Sequence, residues 1–489
     1  LGRFSRVGRR SDQDHLVASS FYFYDLETTG RDPRWHRVIQ FAGVRTNEAF
    51  ELIEEPVSWL VCPDEDVVPE PEALLVTGLA PEDWADGIDD RELFRRIETA
   101  FTRPRTCVAG YNNLRFDDEF VRYGFWRGLR DPYAREWQGG NSRWDLIDLA
   151  RMAAALRPEG VTWPARNGRR SFRLEDLAAA NGIEQLRAHD AVSDVLATLG
   201  LARLLNAAQP RLVEYYLGMR DKRTVSDLVL PVLGAPFVHV SGRYPGSNGH
   251  LAVVAAVAQH PVNRNAVIVA DLSKDPAQWL DQDSDSLRGA LFARASELGD
   301  RMRPPLQEIH LNRVPAVAPI GVMAPADADR LGIDADAVQR HLAQLRQASG
   351  LSARIAAIYE RTPLPPSEDV LGALYDGFLP DADRRVLTGL RDADADTLKS
   401  PPQLDDPRAR ALALEHLARS FPDAMEDDQR IEFASRVSER LRAGRPGMAS
   451  LTEASASIEV LLAEGRDPRV LEGLRTYLAA LDQRWPVAG

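Results

Sequence analysis

FYFYDLETTG, Phe21 to Gly30, begins as an aromatic, strand-forming run and ends with two carboxylates one residue apart. In a strand, residues i and i+2 share a face, so Asp25 and Glu27 are expected to project together, about 7 Å apart along the backbone. Two like charges that close repel unless a cation lies between them. A solvated pair at a strand end would read the same way in isolation, so the rest of the chain has to discriminate.

Strand and helix signals alternate over the first two hundred residues. FYFYDLE, RVIQFAGVRT, FELIEEPVSWLVC and TCVAGYN read as strands rich in aromatic and β-branched residues. DRELFRRIETAF, FDDEFVRYGFWR, DLIDLARMAAAL, LEDLAAANG and DAVSDVLATLGLARLL carry helical periodicity. This is the pattern of a mixed α/β sheet. From Gln209 to about residue 362, the apolar runs FVHVSG, LAVVAAVA, NAVIVADL and EIHLNRVPAVAPI are punctuated by Gly, Pro and Asn, as in a small β-rich domain. After the Pro-rich TPLPPSED the chain reads as helical nearly throughout.

Composition narrows the class. A chain of 489 residues suggests about three domains, and 44% hydrophobic with 27% charged residues is ordinary for a soluble globular protein. Cys62 and Cys107 are the only cysteines and form no CxxC, so a zinc site is not expected. No run of roughly 20 apolar residues is apparent for a membrane span, and the polar, Arg-rich first twenty residues read as a mobile arm rather than a secretory signal. A net charge of −13 argues against a nonspecific nucleic-acid coat protein. Between Gly110 and Glu175, however, twelve Arg face nine acidic residues, leaving room for a local basic channel. Lysine occurs only at Lys222, Lys274 and Lys399, so an isolated Arg is weak evidence for phosphate binding here.

Two further acidic clusters follow. GYNNLRFDDEF sits where the strand TCVAG turns into a helix, and Asp117 and Asp118 are both suited to cap it. In AHDAVSDVLATLG, Asp190 and Asp194 share a helical stripe. If the helix begins at Asp190, His189 lies on the preceding loop and can lean over Asp194.

The order DxE, then N-x-x-F-D-x-x-F, then H-D-A-x-x-D-x-x-A-T resembles the DEDDh exonuclease superfamily, which has an RNase-H-like fold. GYNNLRFDDE, DPYAREWQGGNSRWDL, ALRPEG, FRLEDL and ANGIE, with the later FVHVSGRYPG, HPVNRNAVIVADL, DADRLGI and LYDGFLPDADR, narrow the resemblance to the exodeoxyribonuclease I family. It covers about Phe21 to Arg385. The arm over 1–20 lies outside the resemblance, which implies a 3′–5′ exonuclease domain over 21–206, an SH3-like β-rich domain over 209–362 and a helical C-terminal domain over 366–486.

It also implies site residues. Asp25, Glu27, Asp117 and Asp194 would hold two Mg²⁺ ions, with Mn²⁺ as a substitute; hard cations prefer such carboxylate oxygens. Asp117 is chosen over Asp118 because Asn113, Phe116 and Asp117 fit the family pattern. His189 corresponds to the general base, since a neutral imidazole can take a proton from the attacking water. Glu27, Arg122, Arg173, Tyr133, Trp137 and Arg151 are placed near the DNA, where Arg suits phosphates and aromatic rings stack on bases. Asp145 and Asp148 read as structural. Arg157 and Tyr215 match the pocket that docks the C-terminal tail of single-stranded-DNA-binding protein. The expected enzyme is a cytoplasmic monomer, without membrane attachment, that degrades single-stranded DNA to 5′-mononucleotides in DNA repair and recombination. Alternatives are a proofreading or RNA-trimming exonuclease on the same fold and an inactive DNA-end-binding adaptor. Because the catalytic set spans only Asp25 to Asp194, the segment from Phe21 to Asn206 is expected to cut alone, though distributively.

Overall fold

The computed structural model describes residues 19–185, 190–360 and 365–486. They pack as two compact units. One holds described residues 19–142, 185, 190–196 and 365–486, and the other holds 143–184 and 197–360. Most of the arm expected over 1–20 lies outside the described residues.

The first unit is built on β1 (Ser20–Thr28), β2 (Val38–Thr46), β3 (Val57–Leu60) and β4 (Thr106–Gly110), in the order β3-β2-β1-β4. β1 runs antiparallel to β2 and parallel to β4. The connection to β4 includes the helix Asp90–Phe101, capped by Asp89, whose carboxylate accepts from the Glu92 N–H at 2.7 Å. β3 is shorter than the run FELIEEPVSWLVC predicts, because Pro56 has no N–H to donate and pairing starts at Val57. Two short helices, Pro71–Thr77 and Pro81–Trp84, were not read from the sequence; each carries Pro in its first turn.

Alternation along β1 sets the direction of its carboxylates. Tyr22, Tyr24 and Leu26 point into a core shared with Phe41, Phe94, Phe101 and Phe120. The Tyr24 and Phe101 rings meet edge to face at 5.0 Å. The period of two therefore turns Phe21, Phe23, Asp25 and Glu27 to the opposite face.

The C-terminal helices belong to this same unit. Trp35, Ile39, Val67, Leu74, Trp84 and Trp126 share one buried cluster with Leu371, Leu387, Leu412, Val437, Ile458 and Leu474. Trp126 Nε1–H also donates to the Val370 carbonyl at 2.8 Å.

The second unit takes over within β5 (Ser142–Asp145), a strand the sequence reading missed. Asp145 ends it and caps the helix Leu146–Leu156, accepting from the Ile147 N–H at 3.0 Å. β6 (Ala165–Arg166) and β7 (Arg169–Arg170) form a hairpin over Asn167 and Gly168, both at positive φ, the usual chemistry of a two-residue turn. A second sheet follows: β8 (Phe237–Val240), β9 (Leu251–Gln259), β10 (Ala266–Asp271), β11 (Leu306–His310) and β12 (Ala316–Pro319). Its order is β11-β10-β9-β8-β12, with all four neighbouring pairs antiparallel. The helices Ala335–Gln347 and Leu351–Tyr359 cover it through Val338, Leu342, Ile355 and Ile358.

One described helix, Ala191–Ala208, is long and apolar enough to cross a membrane by length and composition, with a mean hydropathy of 1.3. The sequence reading had expected none. Half of that window is buried within the protein and Asp194 lies in its first turn, so it reads as a core helix.

The shared core bears on the fragment expected to work alone. Cutting the chain at Asn206 strips the C-terminal half from the Trp35, Trp84 and Trp126 cluster and exposes large apolar surface. The fragment Phe21 to Asn206 is therefore expected to bind a hydrophobic dye and to lack a cooperative melt by circular dichroism. A sharp, reversible melt would show that the α/β half is self-sufficient.

Candidate metal centre and active site

Asp25 and Glu27 project from one face of β1, and Asp194 joins them from the first turn of the helix Ala191–Ala208. One ligand oxygen from each lies within 4.8 Å of the others. Asp190 starts that helix, accepting from the Ser193 N–H at 3.2 Å, as the helix start expected at Asp190 requires. Gln185 fixes Asp194 by donating from Nε2 to Oδ1 at 2.7 Å. The sequence reading missed Gln185, which lies just beyond ANGIE. His189 lies outside the described residues.

Asp117 reaches the site by a different route. Pairing between β1 and β4 ends at Phe23 and Ala109, leaving the later N–H groups of β1 without a strand on that side. β4 stops at Gly110, where an added Cβ would lie 2.8 Å from that of Asn113; only glycine allows this close turn. The chain then enters the helix Asp117–Arg127, and Asp117 Oδ1 accepts from the Leu26 N–H at 3.2 Å. Leu26 sits between the two β1 carboxylates. Asp117 is thus held beside the group of three, and it is the carboxylate whose charge acts most strongly on Asp25. Asp118 is used otherwise: it is fully buried and accepts from the Tyr24 hydroxyl at 2.7 Å and Arg135 Nη2 at 2.8 Å.

Crowding and burial dominate the electrostatics. Burial first, then Asp117, Glu27, Asp194 and Asp190, push the Asp25 carboxyl well above its ordinary range. Burial followed by Asp194, Asp117 and Asp190 pushes Glu27 up to about 9. Without a cation these groups hold protons that a solvated carboxylate would release. A hard divalent ion matches this set of oxygens and would replace those protons.

Three family models match successive parts of the chain: exonuclease over 22–202, exonuclease I SH3-like domain over 220–361 and exonuclease I C-terminal domain over 368–481. Exodeoxyribonuclease I of Escherichia coli is 42% identical over 420 residues, covering 84% of this chain and 88% of that protein. The Haemophilus influenzae enzyme is 39% identical, covering 85% and 89%. The chain belongs to the exodeoxyribonuclease I family. Among solved structures, an exonuclease I from Methylocaldum szegediense superposes with a TM-score of 0.90 at 41% identity, covering 94% of this chain and 99% of that one. Escherichia coli exonuclease I in complex with a dA16 oligonucleotide gives 0.89 at 36% identity, covering 96% and 100%. The zinc-bound form of that enzyme's complex with single-stranded DNA gives 0.89 at 37%, covering 95% and 99%. The chain is thus an exonuclease with an SH3-like and a helical C-terminal domain, and its acidic cluster is that of a metal-dependent family.

Outside the acidic cluster, the exodeoxyribonuclease I resemblance named further residues, and the structure gives them different surroundings. Trp137 is 67% exposed, so core packing does not account for it. Tyr133 is half-buried between the Arg122 guanidinium at 5.5 Å and the Phe378 ring at 6.0 Å. Arg122 is buried, and its donors go to Glu136 at 2.8 Å, Glu119 at 2.7 Å and the Tyr375 hydroxyl at 3.2 Å, so it ties its own helix to the two segments that carry Glu136 and Tyr375. Phe378, 80% exposed, was not singled out, although it lies in LYDGFLPDADR.

In the second unit, Arg173 is exposed and ion-paired with Glu175. Arg151 pairs with Asp148 at 2.8 Å and lies over the Phe172 ring at 5.9 Å, consistent with a structural Asp148. Arg157 Nη2 donates to the Val322 carbonyl at 2.9 Å, and Asp327 lies 3.7 Å from its Nη1. The Tyr215 hydroxyl donates to the Val317 carbonyl at 3.1 Å.

The raised Glu27 pKa has a stability consequence of fixed sign. Its folded value of about 9 exceeds the ordinary 4.5, so the metal-free folded state holds a proton that the unfolded chain releases above about 4.5. The stability this contributes is present at low pH and is lost as pH rises through that window. In EDTA the wild-type protein is expected to melt at lower temperature at pH 8.5 than at pH 5.5, and Glu27→Gln should flatten that slope. Thermal melts across pH check this; an unchanged slope in the variant would remove Glu27 as its source.

Proposed function

We propose that this chain degrades single-stranded DNA from the 3′ end to 5′-mononucleotides, using two Mg²⁺ ions held by Asp25, Glu27, Asp117 and Asp194. The observation that carries the reading is the convergence of three carboxylates from β1 and one helix. Bound there, divalent cations would supply charge stabilisation on the scissile phosphate and its leaving oxygen. The chain's own part is orientation. Alternation aims Asp25 and Glu27, Gln185 holds Asp194, and the Leu26 N–H holds Asp117. His189, one residue before Asp190, is assigned as the proton acceptor for the attacking water. The domains are proposed at 21–206, 209–362 and 366–486.

Single-stranded DNA as substrate is supported by the relatives described in complex with dA16 and dT13 oligonucleotides. Trp137 is the best placed of the assigned contacts, since an exposed indole stacks on any base. Tyr133 is assigned a stacking role with the exposed Phe378 beside it, and Arg151 and Arg173 are assigned to phosphates. Arg157 and Tyr215 are assigned to the acidic tail of a single-stranded-DNA-binding protein, where the Arg157 guanidinium must exchange Asp327 for the terminal carboxylate. The exodeoxyribonuclease I resemblance implies a basic rim around that pocket, and Ala235 stands where it would place a Lys, so weaker docking is proposed. The working state is proposed to be a cytoplasmic monomer acting in DNA repair and recombination.

Digestion of 5′-labelled single-stranded DNA and RNA of one sequence, with Mg²⁺ and with EDTA, tests polarity, sugar preference and metal dependence together. A ladder shortening from the 3′ end of DNA alone, abolished by EDTA, is expected. Preference for RNA, or cleavage in EDTA, would overturn the proposal. His189→Ala is expected to slow cleavage by roughly 10²–10⁴-fold while leaving DNA affinity nearly intact. Rate and binding titrations on that variant check the base assignment, and a wild-type pH–rate profile in the variant would contradict it.

Trp137→Ala should act in the opposite sense, weakening single-stranded DNA binding by about 1–3 kcal/mol with little effect on the rate at saturation. Fluorescence titration with a short oligonucleotide reads this, and unchanged affinity would take Trp137 out of the interface.

A further inference from the structure

Asp66 lies on the loop between β3 and the helix Pro71–Thr77 and is only 2% exposed. Three guanidiniums converge on it: Arg37 Nη2 at 3.0 Å, Arg419 Nη2 at 2.7 Å and Arg440 Nη1 at 2.9 Å. Arg419 and Arg440 come from the helices Pro407–Ser420 and Asp427–Ala443, 353 and 374 residues further along the chain. Burial alone would raise the Asp66 pKa, but Arg37, Arg419 and Arg440 outweigh it and hold the carboxyl well below its ordinary range. An ion cluster desolvated this far is a poor source of net stability, because the desolvation cost offsets the attraction. It does fix geometry, since each fork-shaped guanidinium bonds along set directions.

What it fixes at the nuclease end is Arg37. The Arg37 N–H donates to Thr29 Oγ1 at 2.9 Å, and its carbonyl accepts from the Thr29 N–H at 2.8 Å. On its other side, the Thr29 carbonyl accepts from the Glu70 N–H at 2.7 Å, four residues beyond Asp66. Thr29 is therefore clamped by Arg37 and by the Asp66 loop together. Glu27 is two residues upstream. Between Glu27 and Thr28 the β1–β2 ladder shifts register: Glu27 faces Gln40 while Thr28 faces Val38. A bulge of this kind re-aims the side chains beside it, and its position depends on how the strand is anchored past it.

We propose that Asp66 is a positioning residue for the metal carboxylates, coupling the C-terminal helices to the bulge that aims Glu27. This rests on the metal-binding reading of Asp25, Glu27 and Asp194. The C-terminal helices then have a role in the chemistry that is separate from any contact with DNA.

The test uses the full-length chain. Asp66→Asn keeps the shape of the side chain and removes the charge that holds three arginines together. Because this variant risks folding poorly, Thr29→Val provides an independent arm: it deletes one hydroxyl downstream of the ion cluster and leaves the cluster whole. Mn²⁺ binding is measured by calorimetry in the absence of DNA, alongside thermal melts and steady-state cleavage of a single-stranded oligonucleotide. Folded Asp66→Asn and Thr29→Val are both expected to bind Mn²⁺ about 10- to 100-fold more weakly. Their KM for DNA should stay near wild type while kcat at fixed Mg²⁺ falls, and Thr29→Ser should restore metal affinity. Wild-type Mn²⁺ affinity in Thr29→Val, or in a folded Asp66→Asn, would reduce the cluster to a packing device and overturn the proposal. If the wild-type protein itself bound no Mn²⁺, the metal reading beneath the proposal would fall with it.

Discussion

Three carboxylates within 4.8 Å of one another, Glu27 buried and Asp25 and Asp194 half-buried, repel strongly when ionised. Such a group holds its shape only if the surrounding fold prevents the side chains from swinging apart. Each carboxylate here has its own restraint. Asp25 and Glu27 are fixed by the alternation of β1, whose other face is locked into an aromatic core by Tyr22, Tyr24 and Leu26. Asp194 is held by Gln185, and Asp117 by the one backbone N–H between the two β1 carboxylates. Burial first and then this crowding push the Asp25 and Glu27 carboxyls upward, and a divalent cation is the natural relief.

The same constraint explains why the molecule does not divide where its chemistry does. All the assigned catalytic residues lie between Asp25 and Asp194, yet the compact unit containing the described ones also contains residues 365–486. Apolar packing joins Trp35, Trp84 and Trp126 to the C-terminal helices, and Asp66 joins Arg37 to Arg419 and Arg440. The helical segment is therefore part of the scaffold that carries the acidic cluster.

Local pattern was legible in the sequence; partner choice was not. FYFYDLE placed β1 and its two carboxylates correctly because a period of two fixes which side chains share a face. FVHV, LAVVAAVA and NAVIVAD marked β8, β9 and β10 for the related reason that buried strands read as apolar runs between turn residues. The burial of Arg122 was not legible, because nothing in FDDEFVRYGFWR reveals that Glu136 and Tyr375 take its donors. The Asp66 cluster stayed hidden for the same reason, since two of its three partners, Arg419 and Arg440, lie more than 350 residues away and Arg is abundant throughout the chain. The hairpin β6–β7 could have been found: Asn167–Gly168 is a strong two-residue turn signal. The assignment of Asp117 over Asp118 came from the exodeoxyribonuclease I resemblance alone; in the structure Asp118 is taken up by Tyr24 and Arg135, while Asp117 accepts from the Leu26 N–H.

The most direct test of the metal cradle is anomalous diffraction from crystals of the full-length protein soaked in Mn²⁺. The account expects a strong anomalous peak at coordination distance from Asp25, Glu27 and Asp194, lost in crystals of Glu27→Gln. An acidic pocket without manganese in the wild-type crystals, or a peak at carboxylates elsewhere on the chain, would contradict it.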